Sequence, residues 1–202
     1  MTAFYLAALI ALPSICLQYL IVVKYGLLDL TANSALNFRI YAVFFTPVVE
    51  ESFRYAAVWW AKRGGRFAEP SFATAALIGF IVGLIEFVAK SIDIATVPAQ
   101  FWALYLFLNS SSLIIHTALS CAFFSFRSHR LLKTMGLHAL LNFMLVVADL
   151  ILGGLNLGMR ASPLGYTAGT TAVLLAASLC LILMAAKRMG FSPSSSKESR
   201  HV

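Results

Sequence analysis

Six stretches of this chain are predominantly apolar for eighteen residues or more: 3–23, 35–60, 72–89, 101–126, 132–152 and 163–186. A hydrocarbon core of roughly 30 Å is crossed by about 20 helical residues, so each stretch is long enough to span a bilayer. A chain made of such runs is expected to fold as an all-α integral membrane protein, a bundle of about six transmembrane helices. Composition agrees. Only 11% of the residues are charged, 60% are hydrophobic, and the mean hydropathy is +0.86. Soluble domains carry about 25% charged residues. The runs leave no room for a soluble domain, so residues 1–190 are expected to form a single transmembrane domain. The remainder, 191–202 (FSPSSSKESRHV), reads as a disordered cytoplasmic tail. The first run lacks a basic leader and a small-residue cleavage site, and is expected to be a retained helix rather than a signal peptide.

The net charge of +7 raises the question of nucleic acid, but its distribution points to topology instead. Lys62, Arg63, Arg66, Arg127, Arg130, Lys133, Lys187, Arg188, Lys197 and Arg200 fall on one side of the predicted helices. Lys24, Arg39, Lys90 and Arg160 fall on the other, and Arg54 lies within a span. The positive-inside rule then places both termini in the cytoplasm, and no nucleic-acid partner is expected. Cys16, Cys121 and Cys180 lie in three different runs without CxxC spacing, and read as small packing residues.

Against this background the stretch TPVVEESFRYAAVWW, 46–60, stands out. Glu50, Glu51 and Arg54 sit inside an apolar run, where each charge costs roughly 2.5–3.5 kcal/mol near a bilayer centre. Ionisable residues kept at that cost are functional candidates. Glu50 and Arg54 are four apart, share a helix face and could pair; Glu51 is turned about 100° away. Pro47, one turn earlier, is placed to kink the helix and free a backbone carbonyl near the pair.

Three further runs carry polar residues at helical spacing. In GFIVGLIEFVAKS, Gly79 and Gly83 form a GxxxG that permits close helix approach, and Glu86 follows on the same seam. In LNSSSLIIHTALSCAFF, Ser112, His116 and Ser120 recur every four residues as a polar stripe. In GLHALLNFMLVVADL, His138 and Asn142 share a face, while Asp149 near the helix end reads as structural. Tyr5, Tyr19, Trp59, Trp60, Trp102 and Tyr105 lie towards helix ends, as an aromatic belt would. The first and last runs are expected only to seal the bundle. Counted along straight helices, Glu50 and His116 reach similar depth, with Glu86 nearer the outer half and His138 nearer the inner half.

Two glutamates, two histidines, an asparagine and an arginine are the parts of a hydrolytic site among the second to fifth helices. A buried carboxylate can take a proton from water, and imidazole or amide groups can donate to the oxyanion of a tetrahedral intermediate. Glu50, Glu86, His116 and His138 are equally the donor types that bind zinc, which would lower the pKa of a bound water. No HExxH motif is present to select the metal route, and both schemes use the same residues.

The motifs EESFRY (50–55), GFIVGLIE (79–86), HTALS (116–120) and HALLN (138–142) occur in an order that resembles a superfamily of intramembrane proteases. It comprises the CAAX-processing and bacteriocin-processing (CPBP) proteases with the PrsW and YhfC branches. EExxR followed by Tyr, and a second motif ending in Glu86 rather than histidine, place the resemblance nearer PrsW and YhfC. The resemblance covers roughly residues 46–145 and implies a polytopic protease in the plasma membrane of a prokaryote. It implies Glu50 as the water-activating acid, with Glu51 as its partner and Arg54 at the family's basic position. Glu86, His116 and His138 would complete the site, as glutamic or metallo type, and Asn142 would supply a hydrogen bond. The substrate would be a membrane-spanning or lipid-anchored peptide. The superfamily also resembles the scaffold subunit of gamma-secretase, so a non-catalytic membrane scaffold is the alternative. A proton-coupled transporter is a further one, opposed by the small size and the absence of a visible repeat.

Overall fold

The computed structural model describes residues 3–24, 40–65, 68–92, 95, 99, 102–154 and 163–190. It is all-α, with six helices: α1 (Ala3–Lys24), α2 (Thr46–Arg63), α3 (Phe72–Ser91), α4 (Trp102–Ser125), α5 (Arg130–Gly154) and α6 (Pro163–Arg188). Each falls on one of the apolar runs. The start of the second run, the tail 191–202, and the side chains of Tyr105 and Asp149 lie outside the described residues.

Pro47 is accommodated without breaking its helix. A π-helical turn, Tyr41–Phe45, leads directly into α2, with the Thr46 backbone N–H donating to the Tyr41 carbonyl. Proline has no N–H to give and its ring crowds the carbonyl four residues earlier, so the ladder widens to a five-residue step just before it. Further along, the Ser71 hydroxyl caps α3 by accepting from the Thr74 backbone N–H at 3.3 Å.

The most extensive pairing is α3 against α4, and the two glycines make it. The contacts run antiparallel: Gly79 faces Thr117, Gly83 faces Leu113, and the Lys90 carbonyl accepts from Asn109 Nδ2 at 3.5 Å. A Cβ on Gly79 would lie 2.6 Å from Thr117 Cα, and one on Gly83 2.6 Å from the Ser112 carbonyl oxygen. Both clashes are with backbone, so no rotamer change relieves them. Gly83→Val is expected to destabilise the fold by about 1–3 kcal/mol, while Leu84→Val on the exposed face stays near neutral. Thermal unfolding in detergent micelles checks this, and equal midpoints for the two variants would contradict the close approach.

Around this pair, α1 packs on α2 and α3, α5 closes against α2 and α4, and α6 covers α4 and α5. One apolar core joins Leu6, Ile10, Val58, Ile78, Phe123 and Ala185 at the end of the bundle where α1 and α3 start. A smaller one joins Ile115, Leu119, Leu141 and Leu174 between α4, α5 and α6. The surface inverts the usual pattern: Phe44, Phe80, Val88, Leu132 and Leu183 are exposed, while Glu51 and Arg54 are fully buried. Among the described residues, Ala3–Ile21 and Phe72–Ser91 are long and apolar enough to cross a membrane by length and composition. α2 falls short of that measure because it carries Glu50, Glu51, Arg54, Lys62 and Arg63.

Beyond the helix ends, Glu69 ties the α2–α3 connection to the start of α5. Arg130 Nη2 lies 2.8 Å from its Oε1, and Lys62 pairs with it too. Burial works against the charge of Glu69, but hydrogen bonds from Arg130 and Lys62 outweigh it and hold the carboxyl below its ordinary value of 4.5. A depressed folded-state value stabilises above the ordinary carboxylate range, and that stability is lost as pH falls through the lowered value. The pair is half exposed, so the expected loss is below about 1 kcal/mol. Glu69→Gln should remove this part of the acid sensitivity, read as the unfolding midpoint from about pH 6 to about pH 3.

Candidate active site

The buried polar residues of α2 divide into two systems. Arg54 Nε donates to Glu51 Oε2 at 2.8 Å, with both side chains at 0% exposure. Its Nη1 donates to the Ser120 hydroxyl, and Nη2 lies 3.4 Å from both Glu51 Oε1 and His116 Nδ1. The Glu50–Arg54 pair that the spacing allows is therefore not the one that forms. Glu51 takes the guanidinium, because the far end of Arg54 is drawn to Ser120 and His116 on α4. Its several donors are then used within one buried cluster.

Glu51 also orients a histidine on α5. His138 Nδ1 lies 3.1 Å from Glu51 Oε1. An ionised carboxylate only accepts, so Nδ1 carries the hydrogen and Nε2 of His138 is left as an acceptor. His116 is held the other way round. A guanidinium only donates, so the Nδ1 facing Arg54 accepts, and Nε2–H donates to Glu86 Oε2. The two imidazoles stand edge to face with centroids 6.0 Å apart, in opposite tautomers.

Glu50 belongs to neither pair. Its Oε1 accepts from Gln18 Nε2 at 2.9 Å, and Gln18 also donates to the Ser14 hydroxyl at 3.1 Å. Among the described residues its Oε2 is buried with no hydrogen-bond partner, 3.7 Å from His116 Nε2 and 3.8 Å from His138 Nε2. Those distances are too long for direct hydrogen bonds, and a water touching Oε2 from the side could reach either imidazole. A buried orphan acceptor between two imidazole nitrogens is costly unless something occupies that position.

The structure brings Glu50, Glu51, Arg54, Glu86, His116 and His138 into one cluster. Asn142 lies one turn past His138 on α5, half-buried. The mismatch in depth disappears for a geometric reason. In the antiparallel register of α3 and α4, Glu86 and His116 are offset by about 9 Å along the axes. Helical side chains lean towards their own N-terminus, so in an antiparallel pair these two lean towards each other and meet. The serines of the stripe do not hold His116: Ser112 donates to the Gly83 and Asn109 carbonyls, and Ser120 is taken by Arg54.

Three residues join the site that the sequence pattern places elsewhere or does not single out. Gln18 and Ser14 bring α1 into the site, so that helix does more than seal the bundle; a lone amide four residues after a serine in an apolar run was the available signal. Lys90, expected in an outer connection, is in the last turn of α3 and pairs with Glu86 Oε1 one turn back. α3 extends two residues beyond its predicted end at residue 89, which brings Lys90 within reach.

Ligand atoms of Glu50, Glu86 and His116 all lie within 4.8 Å of one another, so the three could hold a metal ion. Carboxylate and imidazole donors suit zinc, and His138 backed by Glu51 has the hydrogen bonding expected of a ligating histidine. His116 does not. Ligation through its Nε2 would require the hydrogen aimed at Glu86 to leave, and a hydrogen on Nδ1 would then confront Arg54.

Compared with known proteins, the chain matches no family model, no curated protein and no solved structure.

Proposed function

We propose that the chain is an integral membrane protein and an intramembrane protease that cleaves membrane-spanning or lipid-anchored peptides. The observation that carries this reading is the unpartnered Glu50 Oε2 between the two histidines. A water bridging that gap would meet a carboxylate able to take its proton and the accepting Nε2 of His138 to orient it. Its oxygen would attack the peptide carbonyl carbon, while Asn142 donates to the oxyanion, or His116 does once its Nε2–H turns away from Glu86. Collapse breaks the C–N bond, and the proton held by Glu50 passes to the leaving amine. Glu86 orients His116, and the Glu51–Arg54 pair sets both tautomers. Glu50, Glu86 and His116 are the residues that would hold a metal, whose chemistry would be to lower the pKa of a bound water, but the present tautomer of His116 does not suit ligation. The exposed apolar surface and the ten basic residues on one side favour a membrane setting with both termini cytoplasmic, and the motif resemblance favours a prokaryotic plasma membrane.

The test compares protein termini in membranes of cells carrying the intact chain or its Glu50→Gln variant at matched expression. New termini near membrane segments, seen only with the intact chain, would establish the protease and name its substrates. The second reading is a non-catalytic scaffold, favoured by the Arg54 network that ties α2 to α4 and, through Glu51, to α5. It predicts identical termini in both cell lines and impaired assembly of a partner complex.

A further inference from the structure

The basic end of the bundle holds two kinds of cation. Lys62 and Arg130 both pair with the carboxylate of Glu69. Lys133 and Arg188 are not: among the described residues neither has a carboxylate partner. Instead both are drawn to one aromatic ring, with Lys133 Nζ 5.5 Å and the Arg188 guanidinium carbon 5.7 Å from the centroid of Phe126. They come from opposite ends of the sequence pattern, one at the start of α5 and one at the last residue of α6. Each lies within about 6 Å of the ring centre, so the π-system of Phe126 attracts both charges. Lys133 Nζ also reaches the Ser128 hydroxyl at 3.5 Å in the α4–α5 turn, and Lys133, Ser128 and Arg188 are all exposed.

We propose that Lys133 and Arg188, converging on Phe126, form a headgroup site for an anionic phospholipid. Two donor-only cations on one ring, one of them beside a hydroxyl, are chemistry that can recognise a phosphate diester. What selects a lipid over a soluble phosphate is the adjoining surface. Leu132 precedes Lys133 and is 68% exposed, and Leu183 and Met184, one turn before Arg188, are exposed as well. Acyl chains would cover these side chains while the headgroup meets the cations. The proposal rests on the membrane setting and is independent of proteolysis.

The test titrates the full chain in detergent micelles with phosphatidylglycerol or phosphatidylcholine, with bound lipid counted by native mass spectrometry. Phosphatidylglycerol is expected to be retained in preference. The double variant Lys133→Gln/Arg188→Gln should bind it about thirtyfold more weakly, from two lost cation–phosphate contacts. Arg63→Gln, which removes a cation stacked 5.0 Å from Trp59 at the same end, should bind as the intact chain does. No headgroup preference, or an unchanged double variant, would overturn the site. Displacement of phosphatidylglycerol by inorganic phosphate alone would overturn the lipid as its occupant. Recovery of the expressed chain in the soluble fraction of cells would instead remove the membrane premise. The preference of the intact chain is read without any variant, so it stands as a test even if the double variant fails to fold.

Discussion

On the proposed proteolytic reading, Glu50→Gln is expected to lower peptide cleavage by about a thousandfold while leaving the fold intact, because it removes the proton acceptor and little else. The glutamine carbonyl oxygen can still accept from Gln18, as Glu50 Oε1 does at 2.9 Å. The amide nitrogen would then occupy the position of the orphan Oε2, where it can donate towards the accepting Nε2 of His138. No ion pair with Arg54 is broken, since Arg54 belongs to Glu51. The stability change should therefore stay within about 1 kcal/mol. Turnover of a membrane-anchored substrate by purified protein, alongside the unfolding midpoint, separates the two effects. A fully active variant would remove Glu50 from the chemistry. An inactive but unfolded one would place it in the scaffold instead.

Arg54→Met should do the opposite, destabilising the fold by about 3–5 kcal/mol by leaving the Glu51 carboxylate buried without its partner. The loss also strips Ser120 and His116 of a donor, so α2 and α4 come apart at their shared polar contact. Adding Glu51→Gln to Arg54→Met should recover most of the stability, since the residual cost is that of an unpaired charge rather than of lost attraction. Unfolding of the two single variants and the double in detergent gives the coupling directly. If Arg54→Met alone were as stable as the intact chain, the buried pair would not be what locks these helices.

These two variants distinguish carboxylates that are neighbours in sequence and are both buried. Nothing local separates Glu50 from Glu51: both sit one turn or less from Arg54, and simple i to i+4 spacing favours the wrong one. Glu51 gains the guanidinium because Ser120, His116 and His138 lie on its side, and those residues come from helices more than sixty positions away in the chain. For the same reason Gln18 is an ordinary amide until α2 sets Glu50 beside it. Lys90 illustrates a smaller effect, in which a helix end displaced by two residues turns a connection residue into part of the Glu86 cluster.

The sequence by itself determined the number, order and approximate limits of the six helices, and the set of ionisable residues that had to be accounted for. Both are local matters: the hydropathy of a run decides whether it can be helical and buried, and an unusual charge is visible wherever it stands. Only the tertiary structure decided which carboxylate Arg54 would neutralise, which oxygen would be left without a partner, and which nitrogen of each histidine would face it. Those outcomes depend on the glycine-tight antiparallel approach of α3 and α4 and on the lean of helical side chains along it. Hydrogen bonds reach only about 3 Å, so a partner is chosen by which helices touch and in what register.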